Sequence, residues 1–284
     1  MEIKKLDDVN LSLPSYTCDT DCVNPNLEAH EALRTFNRYG TTLIIGAPGS
    51  GKSSIAVSLL TTKTKGSRVF CKNAEHFIIF IPLNSLHSMK KDPFSPKIHA
   101  DGSPPTPQVS MLFHELSPEN LQEAYDQIQE WSEAGERTVM YIDDMTQDLK
   151  TFAVEHLLNI LSPTRRHLTL HLIITSQTYR KIPITIRKSA SSVILFYLPN
   201  KAENLAVFSE ILNISKDEWD MISDHVYKRG RHNFLFLDVI NQRFFKNFEE
   251  ALLLKSFQQS DTNRSDLEAT PERRHSESSD SEED

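Results

Sequence analysis

The stretch Thr41-Thr-Leu-Ile-Ile-Gly46-Ala-Pro-Gly-Ser-Gly-Lys52-Ser53 decides the fold. Its first five residues are β-branched or aliphatic and predict a buried strand. The glycine-rich turn that follows leads into an apolar-rich segment that predicts a helix from Lys52 to about Thr62. Residues 46–53 satisfy G-x-x-x-x-G-K-S/T at every defined position, in the strand–loop–helix setting that the motif requires. Glycines let successive backbone N–H groups curl around phosphate oxygens at the positive end of the following helix. On this reading Gly46, Ala47, Pro48, Gly49, Ser50, Gly51, Lys52, Ser53 and Ser54 hold the nucleotide. Lys52 reaches the β- and γ-phosphates, and the Ser53 hydroxyl binds Mg²⁺. The expected cofactors are therefore ATP and Mg²⁺.

Two further strands carry polar ends. Thr138-Val-Met-Tyr-Ile142 runs into Asp143-Asp144, an apolar strand closed by paired carboxylates. Asp143 is expected to hold Mg²⁺, mostly through its water shell, and Asp144 to polarise the attacking water. Leu172-Ile-Ile-Thr-Ser-Gln177 follows. In P-loop ATPases with an additional strand, this strand lies between the other two, so Gln177 is expected to sense the γ-phosphate. Strand–helix alternation through Ser192–Leu198 makes the fold α/β, a P-loop NTPase of the additional-strand type with a mostly parallel, doubly wound sheet flanked by helices. Ring ATPases often place a neighbour's cation on the γ-phosphate. Arg165, Arg166, Arg180 and Arg187 flank the sensor strand, and at least one of them is expected to act in trans.

Around this core, residues 1–38 read as a polar N-terminal extension with a short helix near Glu28–Asn37, and 39–257 as the ATPase domain. Within the domain, the proline-rich run Asn84–Pro107 reads as an insertion. Ser117-Pro118 caps an amphipathic helix with Leu121, Ala124, Tyr125, Ile128 and Trp131 on one face. Two helices follow Asn200, and Asn233–Ile240 predicts an extra strand or hairpin. Residues 258–284 are polar, Ser-rich and acidic, and are expected to be disordered. Serines 276, 278, 279 and 281 lie among acids there and suit an acidophilic kinase.

The bulk numbers describe a soluble globular chain of 284 residues with 38% hydrophobic and 25% charged content. Of the net charge of −8, five units come from carboxylates in the last ten residues. The body is thus close to neutral, which does not exclude DNA binding, since ring motors concentrate basic residues at the pore. No apolar run reaches the length of a membrane span, and the first residues lack a secretory h-region. Cys18, Cys22 and Cys71 form no zinc set and read as free thiols. Lys228, Arg229, Arg231, His225 and His232 form a basic cluster read as facing DNA or water, water being the commoner case.

The run from Arg165 to Arg187 is similar to a segment of the poxvirus-type genome-packaging ATPases of the FtsK–HerA superfamily, found in nucleocytoplasmic large DNA viruses and related elements. Arg166-His167, Ser176-Gln177, Tyr179, Pro183 and Arg187 match that family's pattern, and the resemblance extends over Thr41–Asn247. It implies a homo-oligomeric ring that hydrolyses ATP and drives double-stranded DNA, independent of sequence, into a capsid. Capsid or portal-vertex proteins are the implied partners. The setting would be the infected cell, in a cytoplasmic virus factory or the nucleus, and the virion. Arg166, or else Arg187, would be the trans cation. The insertion and the acidic tail depart from the family pattern.

Other readings weigh against this one. Another FtsK–HerA-type pump or a helicase-like ATPase shares the same core. A GTPase is suggested by Asn200-Lys-Ala-Glu203, but Glu stands where Asp is needed and no Asp-x-x-Gly follows the Asp143 strand. The segment reads better as a helix start.

Overall fold

The structure is a computed structural model, and it describes residues 1–5, 9–10, 26–27, 39–64, 67–68, 74–89, 91–96, 109–212, 214–228 and 230–254. The expected helix at 28–37, the second half of the insertion and the acidic tail lie outside the described residues.

Ten strands form one sheet: β1 (Glu2–Lys5), β2 (Thr41–Ile45), β3 (His76–Phe80), β4 (Met111–Phe113), β5 (Thr138–Asp143), β6 (Leu170–Ser176), β7 (Ser192–Phe196), β8 (Phe234–Asp238), β9 (Arg243–Lys246) and β10 (Glu250–Leu253). Their order across the sheet is β1-β10-β9-β8-β7-β2-β6-β5-β3-β4. The run from β7 to β4 is parallel throughout. The run from β7 to β1 is antiparallel at every step. The extra strand read at 233–240 is therefore the first of a three-stranded meander. Residues 2–5, counted in the polar extension, add the edge strand beyond it. Its Glu and Lys side chains are exposed, which blunts an edge that would otherwise template pairing.

The central strand β2 is buried on both faces, as a parallel strand covered by helices on each side must be. Leu43 and Ile45 join a cluster with α3 (Pro118–Glu133), α4 (Phe152–Thr164), α6 (Lys201–Glu210) and α7 (Lys216–Tyr227). Ile44 points to the other face, against α1 (Lys52–Thr61). Met89 and Phe94, from the first half of the proline-rich insertion, are buried in that second cluster. The insertion therefore contributes to the core as well as extending from it. In α3, Ser117 Oγ accepts from Asn120 N at 3.2 Å and Pro118 opens the helix. Leu121, Ala124 and Ile128 are its buried stripe. Among the described residues no helix is long and apolar enough to cross a membrane.

Leu43 is fully buried next to the phosphate loop. Leu43→Ala should lower stability by about 2–5 kcal/mol, as a cavity in a packed core does, read as a shifted midpoint in urea denaturation.

Candidate active site

Parallel α/β sheets place their sites at the carboxyl ends of the strands, and here β2, β6 and β5 end side by side. β6 lies between the other two. Its Thr175 sits opposite Ile44 of β2 and Asp143 of β5. Gly46 N donates to Ser176 O at 3.2 Å, tying the phosphate loop to the sensor strand.

The loop turns back through Gly49 and Gly51, whose φ values of 68° and 106° lie in the region that favours glycine. Gly51 is the N-cap of α1 and offers no side chain to its first N–H groups, which stay available to an anion. Pro48 is exposed and Ala47 and Ser54 half-buried at the rim. Lys52 is buried and donates to Ala47 O at 3.2 Å. Burial pushes its ammonium below the ordinary lysine value, and the nearby Asp144 and Asp143 only partly offset this.

Asp143 is fully buried, and its two oxygens are treated very unequally. Oδ1 accepts from Ser53 Oγ at 2.9 Å, Tyr141 OH at 2.6 Å and Thr175 Oγ1 at 2.8 Å. Oδ2 is buried with no hydrogen-bond partner, and so is Ser50 Oγ. Polar atoms stranded in this way are costly, and both lie where a nucleotide would satisfy them. A carboxylate beside a hydroxyl is a hard oxygen donor set, so Asp143 and Ser53 fit Mg²⁺. The Ser50 hydroxyl fits a phosphate oxygen.

Asp144 takes up left-handed backbone, φ 50°, which Asp tolerates better than most residues. Its N–H donates to Thr175 Oγ1 at 2.9 Å, and its Oδ1 accepts from Thr146 Oγ1 at 3.3 Å. Gln177 Nε2 donates to Asp144 Oδ2. The residues expected to prepare water and to sense phosphate are thus in direct contact.

The arginines separate. Arg187 Nη1 reaches both carboxylate oxygens of Glu210 at 2.6 Å, with its guanidinium 4.9 Å from the Tyr179 ring centre. Tyr179 OH also donates to Glu210, at 3.0 Å. Arg187 is thus held by residues of its own chain. Arg165 is bound to the Ser162 and Ser189 carbonyls. Arg166 is exposed just before β6 begins, at the end of the sheet opposite its own phosphate loop.

Motif reading missed Tyr141 and Thr175, the two donors that hold Asp143 in place. Thr175 faces the site through the register of β6 on β5, and Tyr141 through strand alternation two residues before Asp143. The basic cluster near the C-terminus also disperses. His225 Nε2 meets Glu250 at 2.6 Å and Lys228 meets Asp224 at 2.8 Å. His232 instead turns to the phosphate loop, 3.0 Å from Ser50 O. Asn200 caps α6 by accepting from Ala202 N, and Glu203 accepts from Arg180 N, so this segment is a helix start rather than a base-reading loop.

A strand inserted between the phosphate-loop strand and the paired-carboxylate strand settles the architecture. The fold is that of a P-loop NTPase. The sequence matches no protein-family model, and no curated protein matches it either. Among solved structures, the chain is similar to the genome packaging NTPase B204 from Sulfolobus turreted icosahedral virus 2 in complex with ATP-gammaS. That likeness has 17% identity and a TM-score of 0.53, covering 75% of this chain and 98% of that one. It is also similar to B204, the DNA-packaging ATPase from Sulfolobus turreted icosahedral virus, at 18% identity and a TM-score of 0.51, covering 74% and 97%.

Thr175→Val keeps the shape but removes a donor to Asp143 and the acceptor for the Asp144 N–H. It should cost about 1–3 kcal/mol in denaturant unfolding; an unchanged midpoint would show that Thr175 does not hold the two carboxylates. The Lys52 shift has its own signature. Because its folded value lies below 10.5, native protein releases this proton first, and stability should rise with pH from that lowered value up to 10.5. Lys52→Met should flatten the rise in pH-dependent denaturation.

Proposed function

We propose that this chain is an ATP-driven motor that translocates double-stranded DNA into a viral capsid as a homo-oligomeric ring. The observation that carries the reading is the pair of stranded buried oxygens, Asp143 Oδ2 and Ser50 Oγ, facing an intact phosphate loop. Likeness to B204 over nearly its whole length supports a packaging role.

In this mechanism Lys52 and the loop amides bind the ATP phosphates, and Ser53 with Asp143 would hold Mg²⁺. The cation, when bound, neutralises charge on the β- and γ-phosphates. Asp144 orients a water whose oxygen attacks the γ-phosphorus as the bond to the β–γ bridging oxygen breaks, leaving ADP and phosphate. Gln177, bonded to Asp144, registers whether the γ-phosphate is present. Arg166, exposed at the far end of the sheet, serves the site of the next subunit. DNA is gripped by its phosphates, so binding is independent of sequence and weakens steeply with salt. Capsid or portal-vertex proteins are the assembly partners, in the infected cell and the virion. A different FtsK–HerA-type pump would use the same site and differ in its docking partner.

Purified protein should hydrolyse ATP faster with long double-stranded DNA than without it. Lys52→Ala should abolish turnover, and Asp144→Asn should slow it about 10²-fold or more while sparing ATP binding. Turnover indifferent to DNA would remove the motor and leave the ATPase. Mixing Lys52→Ala chains with Arg166→Ala chains should recover part of the lost activity, because each supplies what the other's interface lacks; no recovery would exclude Arg166 from the trans role.

A further inference from the structure

The return of the chain through β8 brings a second cation to the phosphate loop. β8 is antiparallel to β7 and β7 is parallel to β2, so β8 begins where β2 ends. Phe234, its first residue, pairs with Phe196, and Leu195 pairs with Ile45. The residues just before Phe234 therefore stand beside the loop. Arg231 Nη2 lies 3.1 Å from the point where a Cβ on Gly49 would sit, and His232 Nδ1 lies 3.6 Å from the corresponding point on Gly51. His232 Nδ1 donates to the Ser50 carbonyl at 3.0 Å.

The segment is clamped from behind. Asn233 Nδ2 donates to Val226 O at 2.9 Å, and Asn247 Nδ2 donates to Asn233 Oδ1 at 3.0 Å. Asn247 Oδ1 in turn accepts from Phe234 N at 3.0 Å. Asn247 and Phe248 make that turn with φ values of 53° and 64°. Arg231 itself is exposed, and no salt bridge to it is found among the described residues. A fixed segment thus holds a guanidinium against a loop already made positive by Lys52 and the N-terminus of α1. Such an arrangement is repulsive until an anion joins it, and a guanidinium fork suits phosphate oxygens.

We propose that Arg231, aimed by His232, binds the phosphates of the nucleotide held by its own chain. This rests on the nucleotide-hydrolysing reading above. It differs from the trans role of Arg166 because the same polypeptide supplies both the loop and the cation. It also gives the β8–β10 meander, through Asn247, a direct connection to the occupancy of the site.

The test uses the full chain. A fluorescent ATP analogue with Mg²⁺ is titrated by polarisation against wild type, Arg231→Ala, Arg231→Gln and Arg231→Lys. Melting temperatures are measured with and without the nucleotide. Arg231→Ala and Arg231→Gln should bind about tenfold more weakly, the scale of one lost charge-assisted contact. They should melt like wild type without nucleotide and show a smaller nucleotide-induced rise. Arg231→Lys should fall between them and wild type. Wild-type affinity in Arg231→Gln would overturn the proposal and leave the ATPase reading intact, whereas wild type that binds no nucleotide would overturn both. Mixing Arg231→Ala with Lys52→Ala chains should restore no turnover, since both defects fall on the chain's own site. Restored turnover would assign Arg231 to a neighbour's site and overturn the cis role.

Discussion

The register of β6 between β2 and β5 is the constraint on which the site depends. It sets Thr175 beside Asp143, and one hydroxyl then serves two neighbours, donating to the carboxylate of Asp143 and accepting from the amide of Asp144. A slip of one residue would turn Thr175 to the other face and take its hydroxyl away from Asp143. Burial on both faces prevents that slip, since every residue of β6 is buried. The left-handed backbone of Asp144 is held by the same hydroxyl. Core packing and active-site geometry are thus one requirement here.

The site is assembled at a cost to the fold. Lys52 is a buried ammonium, Asp143 Oδ2 and Ser50 Oγ are buried without partners, and Arg231 is held against a positive loop. Each arrangement is unfavourable alone, and under the proposed function each is relieved by the polyphosphate and its cation. On the other side, Glu203 and Glu210 of α6 hold the segment after Gln177 through the Arg180 amide, Tyr179 and Arg187. The two glutamates stand two helical turns apart on one face, so α6 anchors the segment after Gln177 at two points.

What was legible in the sequence was local. The phosphate loop, the paired carboxylates, α1, α3 and strands β2, β5, β6 and β7 follow from motif spacing and hydrophobic period, and the structure has them within a few residues; the short parallel edge strand β4 at Met111–Phe113 was not read. The place of β6 came from motif order and is what the sheet shows. Thr175 and Arg231 were not legible, because their placement arises from pairings between distant segments, whereas Tyr141 shares a face with Asp143 by strand alternation two residues away. Nothing near residue 231 announces that β8 starts beside residue 46. Arg187 matched a family pattern, but the partner that occupies it, Glu210, sits on another helix. The strand or hairpin expected at Asn233–Ile240 is a single strand there, its hairpin partner β9 lying beyond it, and Glu2–Lys5 show no apolar alternation and owe their strand to β10.

That last pairing bears on how the chain reaches its native state. Glu2 lies opposite Leu253 and Lys5 opposite Glu250, so this pairing joins the strands of the sheet that lie farthest apart in the sequence. Until β10 has left the ribosome, the leading residues have no sheet to join, and this closure carries the largest loop-entropy term in the domain. The parallel half can condense on β2 before then. The hairpins of the meander are local in sequence, so Arg231 reaches the phosphate loop when β8 docks on β7.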